Sequence, residues 1–393
     1  MSVTGYAYPW DYLDDDAAAP RAAQLGLDVV ALAATYHAAR VPRPLHPSRR
    51  VTEVPYSACY VPIREAAWRG HRLIPLVPSW LDNEDPFLRA QNRLDEQGCV
   101  VDAWIVLTHL DDAGAEHPDL VVRNAFGEPY PYALCPQSNA VREYCRTLVE
   151  ETLQTTNVRG VVLEACGPMG LEHGGVHDKL EFANWRATDE ALLSICFCRA
   201  CQLALGNRGL DAEEVAARVR RGVGTGASSP EAVLVEFAEG VAAHRVSLGA
   251  TLREDLLDAV RRSNRSAPVT LHASPWRWAT GSFPAVGGPE TLDGVTTVVA
   301  NCWDDDAAES EVRGLSDVVH RKQAVGGYLR LDRGWNERTV DTRVRELRSW
   351  GAREAHLYHL GLLDAEGLVT AQSVIEAFHS CETDSTDLSS PTD

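Results

Sequence analysis

Apolar residues along this chain gather into short, nearly continuous runs and do not alternate strictly with polar ones. Eight runs stand out, at 3–8, 27–34, 100–107, 160–163, 268–272, 294–300, 325–329 and 355–358. Each is rich in Val, Ala, Leu or Ile and stops abruptly at polar or aromatic residues. Such a run suits a strand buried on both faces, as in a parallel sheet covered by helices. Between runs the apolar positions return at helical spacing. Val141, Cys145, Leu148 and Leu153 mark a helix over 139–154, and similar stretches lie at 86–97, 307–323, 337–350 and 370–380. The first run is followed by a helix that carries Arg21, Ala22 and Leu25 and stops at Gly26.

A strand–helix rhythm repeated eight times predicts a (β/α)8 TIM barrel, an α/β fold. An open doubly wound sheet would need a glycine-rich phosphate loop after its first strand, and Tyr8-Pro9-Trp10-Asp11 stands there instead. One connection is far longer than the others. Residues 166–267 hold helical stretches at 187–205, 211–221 and 231–262, broken by the Gly/Ser-rich segment 222–230. Residues 73–80 read as an extra strand. The expected organisation is a single barrel domain over 1–380, with an enlarged, mostly helical excursion at 166–267 after strand 4. The Ser-, Thr- and Asp-rich tail 381–393 is expected to be disordered.

In a TIM barrel the chemistry sits where strands end, because the βα loops form the cleft. The run-end residues are Trp10, Asp11, Tyr36, His37, His109, Glu164, His272, Trp276, Asn301, Trp303, Asp304, Arg330, Asp332, Tyr358 and His359. Aromatic walls with a few polar groups suit a sugar, whose apolar face stacks while its hydroxyls need partners. That assigns substrate binding to Trp10, Tyr36, His109, His272, Trp276, Trp303, Arg330 and Tyr358. Glu164 is the sharpest position, since a carboxylate directly after Val161-Val162-Leu163 is costly unless it faces a polar cleft. A glycosidase needs one carboxylic acid and a second carboxylate as nucleophile or base. Glu164 fits the acid. Asp332 is the favoured second carboxylate, with an ion pair to Arg330 or Arg333 as its competing reading. Asp304 is the alternative, or else it only charges a helix start.

Cys196-Phe197-Cys198-Arg199-Ala200-Cys201 is a C-x-C-x-x-C motif. Three thiols so close suit a structural zinc, which takes four ligands. Cys135 or Cys166 is the fourth candidate, and three buried free thiols are the rival reading. His173 and His177 flank two glycines in the loop after Glu164, placed to bond a ligand or assist proton transfer.

The net charge of −19, with 56 acidic against 37 basic residues among 393, disfavours nucleic acid and anionic membrane as partners. It fits a small carbohydrate or glycoside, with a homo-oligomer left open. With no basic–apolar leader and no run near ~20 apolar residues, the expected location is cytoplasmic.

The order Ala133-Leu134-Cys135-Pro136-Gln137-Ser138-Asn139, then Gly160–Glu164, then Cys-Phe-Cys-Arg-Ala-Cys is similar to the zinc-containing, trimerising β-galactosidases. It also resembles glycosyl hydrolase families known mainly from sequence. The resemblance covers roughly 130–201 and implies a TIM barrel, Cys135 as the fourth zinc ligand with Cys196, Cys198 and Cys201, and Glu164 as acid/base. The chain departs from that pattern in several ways, among them some thirty residues between Glu164 and Cys196, more than in that family. Leu163 replaces the asparagine before the glutamate, Arg330-Leu331-Asp332 stands where the seventh strand carries a glutamate, and the trimerisation domain is missing. The function expected is hydrolysis of a glycosidic bond in a small, intracellular glycoside by two carboxylates. Two alternatives are a metal-dependent sugar isomerase or lyase, with a metal held by His109, His173, His177, His272, His359 and Glu164, and a non-catalytic carbohydrate-binding barrel.

Overall fold

The apolar runs become eight parallel strands that close on themselves. The computed structural model describes residues 1–82, 84–111, 113–172, 179–331, 334–335 and 337–380. Asp332, His173, His177 and the tail 381–393 lie outside the described residues. The barrel strands are β1 (Ser2–Ala7), β2 (Val29–Tyr36), β3 (Val101–Val106), β4 (Val161–Glu164), β5 (Val269–His272), β6 (Thr297–Asn301), β7 (Ala324–Arg330) and β8 (Glu354–Tyr358). Each pairs in parallel with its chain neighbours, and β1 pairs with both β2 and β8, which closes the ring. The chain is a (β/α)8 barrel.

Every residue of β2, β3 and β4 is buried, which is why their sequences run apolar without alternating. The outer layer includes helices Ala18–Gln24, Pro86–Asp95, Asn139–Thr155, Ala238–Ser263, Asp305–Val318, Glu337–Trp350 and Ala365–Ser380. Between β5 and β6 a single 3-10 turn, Pro289–Leu292, replaces the helix. Among the described residues no helix is long and apolar enough to cross a membrane.

Two local expectations are corrected. Residues 73–80 form no strand, because Pro75 and Pro78 lack the N–H a ladder needs. The Leu76 carbonyl only accepts the Cys59 N–H. The extra strands lie in the hairpins Ala39–Pro42/Val51–Val54 and Val121–Arg123/Pro129–Leu134, and in Ala58–Cys59 antiparallel to β2. The helix over 187–205 is broken into Ala187–Leu193 and Arg199–Asn207. The break carries Cys196 and Cys198, whose side chains must turn toward Cys135.

The excursion after β4 builds a core of its own. Leu192, Ile195, Phe197, Leu205, Val215, Val219, Leu234 and Val241 pack around Trp278, which comes from the loop after β5. Arg245 is buried beside them, donating to the carbonyls of Ser194 and Trp278 at 2.8 and 2.9 Å.

Close approach of β4 and β5 depends on Gly160. A Cβ there would lie 2.5 Å from the backbone oxygen of Pro268, which has no rotamer to escape by. Gly160→Ala is expected to cost about 1–3 kcal/mol. Gly206→Ala, on a helix face with open space around it, should cost nothing or stabilise by about 0.5–1 kcal/mol. Urea midpoints of the two variants check this, and equal midpoints would contradict it.

Candidate active site

Glu164 ends β4 at the mouth of the barrel, yet its side chain is only 7% exposed. The chain turns away at once. Ala165 adopts φ 53°, a left-handed conformation that costs a non-glycine residue about 1–3 kcal/mol. Bonds on both sides hold the turn. The Ala165 N–H donates to the Ser282 carbonyl at 3.2 Å, and the Thr108 hydroxyl donates to the Ala165 and Gly167 carbonyls, both at 2.8 Å. The Glu164 carboxyl is thereby aimed inward. Trp104 Nε1 donates to its Oε2 at 2.7 Å, and His272 Nδ1 lies 3.6 Å from the same oxygen. Burial pushes the carboxyl up to about 7, against the bonds from Trp104 and Ser282, which pull it down.

Rings surround this carboxyl. Tyr6 meets Trp104 and Tyr328 edge-on at 5.1 and 4.9 Å. Tyr36 meets Trp104 at 5.0 Å and Tyr8 at 4.7 Å. The Tyr358 hydroxyl lies 3.2 Å from that of Tyr36 and 3.4 Å from that of Tyr8. Burial pushes Tyr6, Tyr8, Tyr36, Tyr328 and Tyr358 all upward, so they stay neutral phenols. Trp303 is 37% exposed and forms the outer wall, 5.0 Å from Tyr358 and nearly parallel to Tyr328 at 5.7 Å. Arg330 caps Trp303, its guanidinium 5.5 Å from the ring centroid.

The structure thus brings Glu164, His272, Tyr36, Tyr358, Trp303 and Arg330 into one connected cluster. Other run-end residues lie elsewhere. Trp10 is buried behind the cage, stacked on Tyr8 at 4.4 Å and edge-on to Tyr60. Trp276 is 42% exposed on the loop after β5. Asp304 accepts the Asp306 N–H and caps helix Asp305–Val318. Asp11 lies beside Arg43 and His359, accepts the Tyr8 N–H, and is pushed by burial up to about 6. His359 stacks on Tyr8 at 3.9 Å and is pushed down to about 3 by burial.

Tyr6, Trp104, Tyr328, Phe283 and His356 are site residues that run-end reasoning misses. Four of them lie inside strands, where they look like ordinary β-formers. The usable signal is a polar ring atom inside a run buried on both faces, since such an atom must find a partner. Tyr6 Oη finds two, His272 Nε2 at 2.7 Å and His356 Nδ1 at 3.2 Å. Phe283 stacks flat on His272 at 4.6 Å.

The cysteines meet 66 residues and fewer apart in sequence. Cys135 follows the second hairpin, and its Sγ lies 3.5 Å from Cys201, 3.7 Å from Cys198 and 3.8 Å from Cys196. All four Sγ atoms fall within 4.8 Å of one another and all four residues are buried. The Cys198 N–H donates to Cys196 Sγ at 3.4 Å. The thiols of Cys135, Cys196 and Cys201 hold Cys198 well below the ordinary thiol range. Cys166 is not part of the group. This buried cluster has the donor set to bind a metal.

A second group, His37, His109 and Asp111, also lies within 4.8 Å. Its two imidazoles stack at 4.2 Å with planes only 17° apart. A bound ion lies near the plane of each ligating ring, so these two rings, as they stand, cannot share one. Tyr36 extends the stack at 4.2 Å from His37, and Asp111 accepts the Ser57 hydroxyl and the Ala38 N–H.

No protein-family model matches the chain, and no curated protein matches it. Solved structures do resemble it. The glycoside hydrolase domain of PgaB (BpsB) from Bordetella bronchiseptica gives a TM-score of 0.60 at 15% identity, covering 95% of this chain and 98% of that one. The α-L-fucosidase isoenzyme 2 from Paenibacillus thiaminolyticus gives 0.55 at 13%, over 99% of this chain and 50% of that one. A β-galactosidase from the psychrophilic Marinomonas ef1 gives 0.55 at 11%, over 98% and 60%. The chain spans half of the fucosidase and three fifths of the galactosidase. At these identities the likeness establishes the barrel fold.

The raised carboxyl has a consequence for stability. An unfolded glutamate titrates near 4.5, the folded Glu164 near 7. Between those values the folded chain holds more protons than the unfolded one, so stability falls as pH rises. Above both, the whole penalty stands, on the order of 3 kcal/mol. Glu164→Gln is therefore expected to gain on the wild type by up to that amount as pH rises from 4.5 to 7, and to keep the gain above 7. Urea unfolding of both proteins across this range checks it, and a difference independent of pH would refute it.

Proposed function

We propose that this chain is a glycoside hydrolase in which Glu164 is the general acid. One observation carries the reading. A lone carboxyl at a strand end, kept protonated to about 7 by burial, faces a ring of neutral aromatic side chains. A general acid works best with a pKa near the operating pH. The phenol and indole faces suit a sugar ring and favour the positive charge that develops on it in an oxocarbenium-like transition state. The likeness of the barrel to a glycoside hydrolase domain, a fucosidase and a galactosidase supports the same class.

In this reading Tyr36, Tyr358 and Trp303 contact the sugar, His272 stands buried behind Glu164, and Arg330 steadies the Trp303 wall. Asp332, two residues past the end of β7, is the proposed nucleophile or base. The substrate proposed is a small glycoside.

Glu164→Gln is expected to lower kcat/KM on unactivated glycosides by about 10²–10⁴, and by less on aryl glycosides whose leaving group needs no proton. A panel of both, hydrolysed by wild type and variant, makes the measurement. Equal rates on unactivated substrates would remove Glu164 from the mechanism.

Cys135, Cys196, Cys198 and Cys201 are proposed to hold a structural zinc. The fit is metric. With Zn–S near 2.3 Å, a tetrahedron has S···S edges of about 3.8 Å, and the separations of Cys135 Sγ from the other three run from 3.5 to 3.8 Å. The ion would pin the break between helices Ala187–Leu193 and Arg199–Asn207 to the hairpin Val121–Arg123/Pro129–Leu134. Elemental analysis should find one chelation-resistant zinc per chain, lost in Cys201→Ser with about 4 kcal/mol of stability or more. A metal-free chain that melts at the same temperature with and without added zinc would dispose of the site.

A further inference from the structure

The barrel axis carries a line of polar side chains from one end to the other. At the bottom, Glu354 opens β8 with its side chain 22% exposed, and its Oε2 lies 3.4 Å from His356 Nε2. His356 Nδ1 lies 3.2 Å from the Tyr6 hydroxyl, which lies 2.7 Å from His272 Nε2. His272 Nδ1 completes the line, 3.6 Å from Glu164 Oε2 at the top. That Nδ1 is buried with no hydrogen bond at ordinary length. His356 bonds through both of its ring nitrogens along the line, and His272 through Nε2, with its Nδ1 facing Glu164. The barrel also makes room for it, because a Cβ on Gly326 of β7 would strike His356 at 2.6 Å.

We infer that this line is a proton path, through which the Glu354 end of the barrel sets and restores the proton on Glu164. The inference rests on the reading of Glu164 as an acid.

The proton count supports it. With both carboxylates ionised, the two neutral imidazoles and the phenol carry three movable protons. All three can point toward Glu164: His356 Nδ1–H donates to Tyr6, Tyr6 O–H donates to His272 Nε2, and His272 Nδ1–H faces the Glu164 carboxylate across 3.6 Å. The bare Nε2 of His356 then faces the Glu354 carboxylate. All three can point the other way, and the bare Nδ1 of His272 then faces the Glu164 carboxylate. Three protons satisfy one end only, and a fourth satisfies both.

The fourth proton has two resting places. In one, His356 is an imidazolium bonded to Glu354 and Tyr6, and Glu164 is ionised. In the other, Glu164 is protonated and His356 is neutral. Three transfers connect them. The His356 Nδ1 proton goes to Tyr6 Oη as the Tyr6 hydroxyl proton goes to His272 Nε2, and the His272 Nδ1 proton goes to Glu164 Oε2. No atom or electron is gained or lost. The hydrogen bond from His356, its charge, Thr297 and Arg159 outweigh burial and keep Glu354 below the usual carboxylate range, while burial and the charge of His356 keep His272 neutral. The other groups facing the line are Trp104 and Ser282 on Glu164, the phenols Tyr36, Tyr328 and Tyr358, and the Arg159–Asp102 pair near Glu354.

The test reads Glu164 without any substrate, so it stands apart from the activity assay. Carboxyl ¹³C NMR gives the Glu164 titration midpoint in wild type, Glu354→Gln, Tyr6→Phe and the double variant. A glutamine at 354 can donate to His356 Nε2, which lets three protons satisfy the Glu164 end. Glu354→Gln is therefore expected to lower the Glu164 midpoint by about one pH unit or more, a tenfold change in proton affinity. In the Tyr6→Phe background, which keeps the ring and breaks the path, the same change should leave the midpoint in place. An equal shift in both backgrounds would mean a through-space charge effect, and no shift in either would mean no communication. Each result overturns the path. Should Glu354→Gln fail to fold, ¹⁵N histidine spectra of wild type and Tyr6→Phe decide instead. Ionised Glu164 should hold His272 as the Nδ1–H tautomer in the wild type alone, and the same tautomer in both proteins overturns the path.

Discussion

A carboxyl group taken out of water needs a counter-charge or hydrogen-bond donors. Among the described residues Glu164 has no arginine or lysine beside it, only the indole of Trp104, the hydroxyl of Ser282 and the imidazole of His272. That constraint accounts for much of the barrel interior. Donors must reach the end of β4 from β3, β5 and the loop after β5, which works only if the eight strands close in the observed register. In that register Val106 sits opposite Glu164 and Leu271 opposite Leu163. The donors then need partners in turn. Tyr6 supplies one for His272, and His356 supplies one for Tyr6. The polar axis is thus continuous with the buried Glu164.

The barrel was legible because parallel strands buried on both faces leave unbroken apolar runs, and the run ends located Glu164, Tyr36, His272, Trp303, Arg330 and Tyr358 to within a residue or two. The C-x-C-x-x-C cysteines were legible from spacing, which left Cys135 and Cys166 open as the fourth, and the family resemblance pointed to Cys135. What escaped had physical reasons. Tyr6, Trp104, Tyr328 and His356 lie within strands, where a ring that packs and a ring that also hydrogen-bonds look alike. The hairpins around 39–54 and 121–134 are too short and too polar for a periodicity to show. Trp10 and Asp304 stand at run ends as the site residues do. One turns behind Tyr8 and the other caps a helix, and only the backbone path after each strand decides that.

The aromatic cage and the polar axis divide the labour of the cleft. Tyr36, Tyr358 and Trp303 offer faces and edges toward the open end, with Tyr8 buried behind them, and the three tyrosine hydroxyls bond to one another. Tyr6, His272 and His356 bond along the axis and are almost fully buried. A ligand in the cleft would meet the first set directly and the second only through Glu164.

Trp278 gives the helical layer after β4 an unusual dependence. The indole belongs to the loop after β5, yet it lies in the centre of that layer, where Arg245 holds its carbonyl and Glu231 accepts its Nε1–H at 2.7 Å. The layer is therefore closed by a residue the ribosome adds only after the whole excursion has been synthesised. Its core cannot be completed co-translationally until β5 and its loop are out. It also cannot be cut out and grafted onto another barrel as a cassette bounded by β4 and β5, since the piece that locks it lies outside those bounds.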